Sequence, residues 1–376
     1  MEEDLQTKFT GYQMIDQPLT DQQLALIKSC AVEAEDLGQL HPKVLQLCHD
    51  EQWFKLFVPE VYGGPGKKLP EILRLEEALA SADGSLGWTV TLCGGAAWFA
   101  GFLDPELAKV IFRDPKVCFA GSGAVGGTAR AKGDGYEING HWKYASGALH
   151  ATIFTANCIL HDENGVEKLD ADGQNIIKSF ILKKEEVSLC PGWDYFGLVA
   201  TGSHAFEVHH QLVPANRSFE INANLSVENE GFDYPFLQLA ETTLAVNSLG
   251  MAKHFLEWVE DLFQQRSGNK RFNEHQLAHF QNEYIQCKHD LELARTNFYK
   301  TFDLSWKSLI DEQEIEPGLL DEVSLASRKL AHLSRKITDA LFPYCGLEAA
   351  KKQTTINRIW RDLHTASQHA LLTFEK

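Results

Sequence analysis

The sequence predicts an α+β protein in which a module of strands lies between two helical regions. Apolar residues recur at spacings of three and four before residue 112 and again after Pro214. The stretch between them consists of short segments rich in Val, Ile, Phe and Tyr, which turn signals such as GDG and DENG separate. The length of 376 residues allows two or three modules, since a single core stops growing near ~250 to 300 residues.

The N-terminal region, residues 1–115, is predicted to be helical. The stretches LALIKSCAVEAEDL and PEILRLEEALASA carry the helical spacing, and Pro70 suits the first turn of the second helix. Gly63, Gly64 and Gly66 mark a loop between these helices. The stretch SLGWTVTLCGGAAWFAGFL is apolar on every side, which predicts a helix buried inside the protein.

The middle region, residues 116–218, is predicted to form an antiparallel sandwich or barrel. The segments YEINGHWKYAS, ATIFTANCIL, NIIKSFIL and HAFEVHHQLVP have the length and composition of strands. In residues 219–376 the helical period returns in three stretches of about 18 to 28 residues each. Long helices joined by short connections predict an antiparallel bundle.

The composition disfavours several classes of function. A formal net charge of −17 without any Lys/Arg-rich block argues against binding to nucleic acid. No run of 18 apolar residues predicts a membrane span, and the acidic start MEEDLQTKF lacks the features of a signal peptide, so we expect a cytoplasmic protein. There is no HExxH motif and the eight cysteines form no CxxC pair, so we expect reduced thiols and no metal site.

Several stretches, in order along the chain, resemble motifs of the acyl-CoA dehydrogenase superfamily of flavoproteins. FVPEVYGGPG resembles the family's lPeeyGGlG loop, and GDGYEINGHWKYASG resembles its dGyvlnGxKxWITN motif. GLVATGSHAFEVHHQLVP and CGLEAAKKQTTINRIWRDLH resemble two further motifs, in the middle module and near the C-terminus. The resemblance spans essentially the whole chain. It implies an N-terminal helical domain, a central antiparallel β-barrel or sandwich and a C-terminal four-helix bundle.

The stretch NGHWKYASG is predicted to be a strand that places Trp142, Tyr144 and Ser146 on one face. The resemblance implies that this strand runs beside a bound flavin, FAD or FMN, with the aromatic residues near the isoalloxazine ring. Tyr144 takes the family's aromatic place, and Ser146 takes the place of a hydroxyl that reaches the N5 and O4 edge. From the residues alone, an alternative is that Trp142 and Tyr144 belong to the core and Ser146 begins a turn.

The resemblance also implies that an arginine from a neighbouring subunit binds the flavin pyrophosphate. The stretch RSGNKRFNEHQLAHFQ offers Arg266 and Arg271 for this role, and the spacing does not decide between them. Gln281 takes the place of the family's glutamine. Gly346 lies where the family's glycine pair meets the cofactor, and its alternative role is to end a helix.

Two subgroups of this superfamily perform different chemistry, and the departures from the motifs bear on the choice. The loop that reads TEPgaGSD in dehydrogenases is GSGAVGGTA here, without acidic residues. HWKYASG and SADGSLGW are more similar to the two-component flavin monooxygenases of this fold. Those proteins take reduced flavin from a separate reductase, add dioxygen at its C4a atom, and oxidise phenols or sulfur and nitrogen heterocycles.

Different residues would carry the two reactions. As a monooxygenase, the chain would use His369 as the acid or base near C4a, because the pKa of histidine lies near the working pH. His364 is the reserve candidate, and an alternative is that His369 only caps or packs at the end of the bundle. A dehydrogenase needs a carboxylate base, but Ala370 fills the usual place. Glu241 is then the candidate base, or else a charge in the first turn of a helix.

Three functions therefore stay open. The first is the oxygenase component of a two-component monooxygenase, which implies a small, aromatic substrate and a flavin reductase as partner, with Ser146 holding N5. The second is an acyl-CoA dehydrogenase that acts on an acyl thioester. The third is a flavin-binding or structural protein without catalytic activity. The resemblance also implies a homotetramer or a dimer of dimers.

Overall fold

The computed structural model describes residues 18–221, 225–227, 231–268, 272–312 and 314–374. The helices that precede the strands are α1 (Asp21–Leu37), α2 (Pro42–Asp50), α3 (Leu69–Ala82), α4 (Gly84–Ala97) and α5 (Pro105–Phe112). The strands are β1 (Phe119–Lys132), β2 (Gly135–Trp142), β3 (Ile153–His161), β4 (Ile177–Lys183), β5 (Ser188–Cys190), β6 (Ala205–Pro214) and β7 (Ser218–Phe219). The helices that follow are α6 (Phe236–Ser267), α7 (Glu274–Glu312), α8 (Pro317–Leu341), α9 (Thr355–Ala366) and α10 (Ala370–Thr373). This order confirms the predicted α+β class.

The N-terminal helices begin and end where local chemistry dictates. The hydroxyl of Thr20 accepts a hydrogen bond from the backbone N–H of Gln23 at 3.2 Å, and the Gln23 side chain accepts one from the Thr20 N–H at 2.9 Å. This capping box starts α1, and Gly38, with a φ of 64°, ends it. Helix α3 has Pro70 in its first turn, as the sequence predicts.

Helix α4 is the buried helix that the sequence predicts. Asp83 caps its first turn by accepting a hydrogen bond from the Leu86 N–H at 2.9 Å. A Cβ atom on Gly87 would lie 2.7 Å from the Cα atom of Ala80, so the glycine lets α4 approach α3 closely. The helix ends at Ala97, and residues 98–102 continue as a 3-10 turn. Helix α4 is buried over most of its length.

The strands form one sheet with the order β5-β6-β2-β1-β3-β4-β7. Among the described residues, every neighbouring pair is antiparallel except β1 and β3, which are parallel. The predicted antiparallel module is therefore correct for most pairs and wrong for this one. The reason is that residues 143–152 cross from the end of β2 past the start of β1 before β3 begins. We call residues 143–152 the crossing segment.

One face of the sheet packs around Trp142. Its indole lies against the backbone of three glycines, because a Cβ atom would come within 2.6 Å of the ring at Gly126, within 2.5 Å at Gly127 and within 2.6 Å at Gly140. Only a residue without a side chain allows this approach. The consecutive glycines of β1 thus serve to seat a large aromatic ring inside the β core.

The helices on the two sides of the strands share one hydrophobic core. Leu79 of α3 and Val90 of α4 belong to the same buried cluster as Leu249 and Phe255 of α6 and Leu363 of α9. Helices α6, α7, α8 and α9 form the predicted C-terminal helical region. The division into domains at residues 115 and 218 stays a prediction, because this core continues across both boundaries.

Within the described part of the chain, no helix is long and apolar enough to span a membrane. In the same residues, no group of three His, Cys, Asp or Glu side chains is arranged to hold a metal ion.

We predict that Gly127→Ala destabilises the protein through the β core. The added methyl group would collide with the Trp142 ring at 2.5 Å and the Asn139 carbonyl oxygen at 2.4 Å, and overpacking of this kind costs about 1 to 3 kcal/mol. Gly123→Ala in the same strand is the matched control, because a Cβ atom there has no neighbour within 4 Å. Thermal unfolding followed by circular dichroism checks the prediction. Equal melting temperatures for the two variants would contradict it.

Candidate active site

The crossing segment corrects the predicted arrangement of Trp142, Tyr144 and Ser146. Strand β2 ends at Trp142, and Tyr144 has a φ of 65°, in the left-handed region that a bulky residue rarely adopts. The alternation of side chains therefore stops before Tyr144. Trp142 is buried, Tyr144 is 57% exposed, and Ser146 is 5% exposed, so the three side chains do not share a face.

Trp142 lies inside the β core and not at a surface. Its indole N–H donates to the carbonyl oxygen of Asn157 at 3.0 Å, and its ring stacks on Phe206 with centroids 5.1 Å apart. With 1% of its surface exposed, the ring has no face left for a cofactor. The structure therefore agrees with the packing alternative for Trp142.

A second segment, residues 191–204, holds the crossing segment in place. We call it the 191–204 loop. The Ala145 N–H donates to the His204 carbonyl at 3.1 Å, and the Gly147 N–H donates to the Thr201 carbonyl at 2.9 Å. These two bonds fix the backbone on both sides of Ser146. They help to maintain the left-handed conformation of Tyr144, since strained residues persist only where their surroundings determine them.

The hydroxyl of Ser146 begins a chain of three buried hydroxyl groups. Its Oγ atom lies 2.9 Å from the Oγ atom of Ser203, which lies 2.6 Å from the Oγ1 atom of Thr201. The Thr201 hydroxyl in turn donates to the Leu198 carbonyl at 2.7 Å. We call Ser146, Ser203 and Thr201 the hydroxyl chain. Its members apart from Ser146 belong to the 191–204 loop.

Helix α9 anchors the 191–204 loop. Asp362 accepts a hydrogen bond from the Leu198 N–H at 2.6 Å, and Arg361 donates to the Phe196 carbonyl. Gly197 lies between these points, and a Cβ atom there would be 2.1 Å from the Arg361 carbonyl oxygen. Burial and the nearby Asp83 raise the pKa of Asp362 to about 7.

His204 closes the other end of the loop. Its Nδ1 atom accepts hydrogen bonds from the backbone N–H groups of Gly192 and Trp193, both at 3.2 Å. Burial lowers the pKa of His204, so the imidazole is neutral at pH 7 and keeps this lone pair available.

Aromatic side chains gather beside Ser146 where the loop meets the crossing segment. Trp193 and Tyr195 stack with centroids 4.2 Å apart, and the hydroxyl of Tyr195 donates to that of Tyr144 at 3.3 Å. Tyr144 and Tyr195 are both exposed. This exposed aromatic surface can pack against a planar ring.

Helix α4 brings Ser146 and His369 to one region. The thiol of Cys93 donates to the Ser146 carbonyl at 3.5 Å, and the Trp88 ring makes an edge contact with His369, with centroids 6.0 Å apart. Trp88 and Cys93 are separated by about 7.5 Å along the helix axis. The two predicted catalytic residues therefore contact neighbouring turns of the same helix.

One stripe of α4 is open although the rest of the helix is buried. Leu92, Gly95 and Ala96 are partly exposed, and a Cβ atom on Gly95 would meet nothing within 4 Å. By helical spacing, Trp88 and Phe99 lie on the same side as this stripe, one at each end of it. Phe99 packs against other aromatic rings. The stripe forms an apolar surface with His369 at one end.

The side chain of His369 is positioned by the first turn of α10, the helix that follows it. His369 is the N-cap of α10, where its Nδ1 atom accepts a hydrogen bond from the Leu371 N–H at 3.3 Å. Burial lowers the pKa of His369, so the ring is neutral at pH 7. Because Nδ1 accepts, the proton of the neutral ring is on Nε2, which is then a donor. His364, the reserve candidate, is instead bound to Asp339 at 2.9 Å and to the Trp360 carbonyl at 2.7 Å.

Glu241 lies in the bundle, where it is 1% exposed. Its Oε1 atom accepts a charge-assisted hydrogen bond from Arg328 of α8. Its Oε2 atom is buried and has no hydrogen-bond partner among the described residues. Glu241 is thus an interhelical charge partner.

Arg266 and Gly346, two of the residues predicted to bind the cofactor, lie in contact with each other. A Cβ atom on Gly346 would be 2.7 Å from the Arg266 Cζ atom, and the guanidinium donates to the Tyr344 carbonyl. Gly346 has a φ of 65° in a kinked 3-10 segment, so it does not simply end a helix. Gln281 is exposed on α7, and Arg271 lies outside the described residues.

The residues around Ser146 fit a flavin. Tyr144 and Tyr195 are exposed and Trp193 is half-buried, so this aromatic cluster can pack against a planar ring, and Ser146 lies two residues after Tyr144.

Sequence reasoning missed the residues that support Ser146. The motif GLVATGSHAF contains Thr201 and Ser203, and the RD pair contains Asp362, but the motifs do not say what these side chains touch. The small hydroxyl residues beside Gly202 were the only available signal. Trp193 and Tyr195 precede that motif and carry no local signal of a site.

Comparisons with known proteins agree with this fold. Residues 242–374 match the family model for the acyl-CoA dehydrogenase C-terminal domain. The chain is similar to indole-3-acetate monooxygenase of Acinetobacter baumannii, at 25% identity over 350 residues that cover 92% of this chain and 87% of that protein. It is also similar to the oxygenase subunit HsaA of a flavin-dependent monooxygenase of Rhodococcus jostii, at 25% identity over 371 residues, with coverage of 93% and 92%.

A solved structure has the same fold. XiaF from a Streptomyces species, solved in complex with FADH2 and glycerol, superposes with a TM-score of 0.79 at 19% identity, covering 93% of this chain and 89% of that one. The predicted resemblance to the acyl-CoA dehydrogenase superfamily, and to its flavin-dependent monooxygenases, is confirmed by these comparisons.

We predict that Asp362→Asn alters the pH dependence of stability. The folded-state pKa of Asp362, about 7, lies above the ordinary value near 4, so the folded protein keeps a proton that the unfolded chain releases. Its stabilising contribution is complete below pH 4 and is lost as the pH rises through 7. Asparagine keeps an acceptor for the Leu198 N–H and removes this titration.

Denaturant unfolding at pH 4.5 to 7.5 measures the effect. The free energy of unfolding of the wild-type protein should fall more steeply with rising pH than that of Asp362→Asn, by at most about 1.4 kcal/mol per pH unit. Asp36→Asn, at an exposed position on α1, is the control. Parallel pH profiles for the wild-type protein and Asp362→Asn would show that Asp362 titrates normally.

Proposed function

We propose that this chain is the oxygenase component of a two-component flavin-dependent monooxygenase that acts on a small aromatic substrate. The observation that carries the proposal is that the Ser146 backbone and the His369 ring contact neighbouring turns of α4, the helix that carries the open apolar stripe. Reduced flavin, when bound, supplies the electrons that activate dioxygen. The names and flavin dependence of the similar proteins support the same reading.

Each residue has a distinct part in this proposal. Tyr144 packs against the flavin ring, and the Ser146 hydroxyl bonds to the N5 edge. His369, with its proton on Nε2, would serve as the acid or base that exchanges a proton with the reacting group. The apolar stripe of Leu92, Gly95 and Ala96 holds the substrate ring and excludes water.

The flavin phosphates and the partner protein complete the proposal. Arg266 binds the pyrophosphate of FAD, or the phosphate of FMN, in an assembled oligomer. Arg271, Gln281 and Gly346 stay proposed neighbours of the same group. A separate flavin reductase delivers the reduced flavin, and we place both proteins in the cytoplasm.

A direct assay tests the proposed function. The protein is mixed anaerobically with reduced FMN or FAD, then exposed to oxygen and a panel of phenols and indoles, and hydroxylated products are quantified by mass spectrometry. Product that depends on the protein supports the proposal. Failure to bind either reduced flavin would refute it.

An acyl-CoA dehydrogenase is the second candidate, because the buried Oε2 atom of Glu241 has no partner among the described residues. A base of this kind would take the α-proton of an acyl thioester. Bleaching of bound oxidised flavin by acyl-CoA, and its loss in Glu241→Gln, would favour this candidate over the monooxygenase.

We predict that His369→Asn lowers the rate of product formation by ~10²- to 10⁴-fold, as expected for loss of an acid or base. Asparagine is a good N-cap, so this variant keeps the start of α10, whereas His369→Ala loses the cap and about 1 kcal/mol of stability. Rates are measured in single turnovers with reduced flavin. Full activity of His369→Asn together with a defect in His369→Ala would assign His369 a capping role only.

We also propose that the chain assembles through α7 and α8. These helices border a groove of about 840 Å³ that contains Leu293, Leu325 and Leu333 together with Asp290 and Lys336. Leu293 is 51% exposed, and a groove with both charges can pair with a second copy about a two-fold axis. A homotetramer or dimer of dimers would cover this surface.

Solution mass tests this assembly. We expect the wild-type protein to sediment as a multiple of its 42.2 kDa subunit, and Leu293→Asp to form smaller species. Val110→Asp, at an exposed apolar residue on α5, is the control for a simple change of surface charge. A wild-type protein that is monomeric at micromolar concentration would overturn the proposal.

A further inference from the structure

The hydroxyl chain has only one arrangement of hydrogens that satisfies all its contacts. Each hydroxyl has one hydrogen to donate. The Thr201 Oγ1 atom lies 2.7 Å from the Leu198 carbonyl oxygen, which has no hydrogen, so Thr201 must donate there. Two oxygens at that distance without a hydrogen between them would repel each other. The hydrogen of Thr201 is therefore used.

The direction of the remaining bonds follows from this end. Ser203 lies 2.6 Å from Thr201, whose hydrogen is used, so Ser203 donates to Thr201. Ser146 lies 2.9 Å from Ser203, so Ser146 donates to Ser203 by the same argument. The Ser146 hydroxyl then has no hydrogen left for a ligand. It can only accept.

Burial keeps this direction fixed. Ser146, Ser203 and Thr201 are between 1% and 5% exposed, so water does not compete freely for their hydrogens. The Leu198 carbonyl at the end of the chain also accepts the indole N–H of Trp193 at 2.8 Å. With the Leu198 N–H bound by Asp362, both polar groups of this residue are held.

An acceptor at Ser146 distinguishes the two redox forms of a flavin. The N5 atom of reduced flavin carries a hydrogen and donates, whereas N5 of oxidised flavin has a lone pair and accepts. We infer that Ser203 and Thr201 are positioning residues that make Ser146 an obligatory acceptor and so make the site select reduced over oxidised flavin. This inference rests on the proposed function, since it requires Ser146 to meet N5.

The inference predicts how substitutions in the chain change redox selectivity. In Ser203→Ala, the Ser146 hydroxyl loses its acceptor and is free to donate to oxidised N5. The ratio of the dissociation constants for oxidised and reduced flavin should then fall about tenfold, the effect of one hydrogen bond. Thr201→Val should lower the ratio as well. Thr201→Ser retains the hydroxyl and should keep the wild-type ratio.

The test uses the full-length protein, with FMN and FAD as separate probes. Dissociation constants for the reduced form are measured anaerobically by calorimetry, and those for the oxidised form by fluorescence. The midpoint potential of the bound flavin provides an independent reading of the same ratio. In a Ser146→Ala background, Ser203→Ala should leave the ratio unchanged, because the group that it reorients is absent.

The outcomes separate this inference from the proposed function. A wild-type protein that binds neither form of flavin overturns both. A wild-type protein that binds reduced flavin and shows the same ratio as Ser203→Ala and Thr201→Val overturns only the inference. If Ser203→Ala does not fold, as judged by circular dichroism, the comparison of Thr201→Val with Thr201→Ser decides the matter.

Discussion

The attachment of the 191–204 loop to α9 is the constraint on which the site depends. The loop contains one short 3-10 turn at residues 199–201 and otherwise has no regular structure, so contacts with its surroundings determine its shape. Asp362 and Arg361 bind the backbone at Leu198 and Phe196. Gly197, which has no side chain, allows the loop and α9 to approach each other closely. Because Thr201 and Ser203 belong to this loop, a C-terminal helix determines the surroundings of Ser146 in the middle region.

The open stripe of α4 is apolar, so the polar groups of the candidate site come from other segments of the chain. Helix α4 offers an apolar stripe of Leu92, Gly95 and Ala96 and contributes no charged group to it. Ser146 comes from the crossing segment and His369 from the start of α10. An apolar wall with a few polar groups is the usual composition of a small-molecule site. Burial also keeps His369 neutral, because desolvation disfavours its charged form.

The sequence predicts most of the fold because long periodic segments identify helices and strands independently of their partners. The prediction fails in the crossing segment. There Tyr144 has a left-handed backbone conformation, which ends the alternation of side chains between the two faces that holds along β2. Glycine or asparagine would have signalled such a residue, but tyrosine does not. The contact between Trp88 and His369, and the pair of Glu241 with Arg328, join distant parts of the chain. Local patterns contain no information about contacts of this kind.

Two independent features bear on the choice between oxidised and reduced flavin chemistry. A dehydrogenase starts from oxidised flavin and needs a free base, but the candidate Glu241 is paired with Arg328, and removing a partner from a buried ion pair costs about 3 to 5 kcal/mol. The hydroxyl chain lies in a different region. In the proposed function it opposes the same chemistry, because an accepting Ser146 would face the lone pair of oxidised N5. One feature depends on the contact of α6 with α8 and the other on the 191–204 loop. Since neither feature requires the other, both favour the proposed oxygenase over the dehydrogenase.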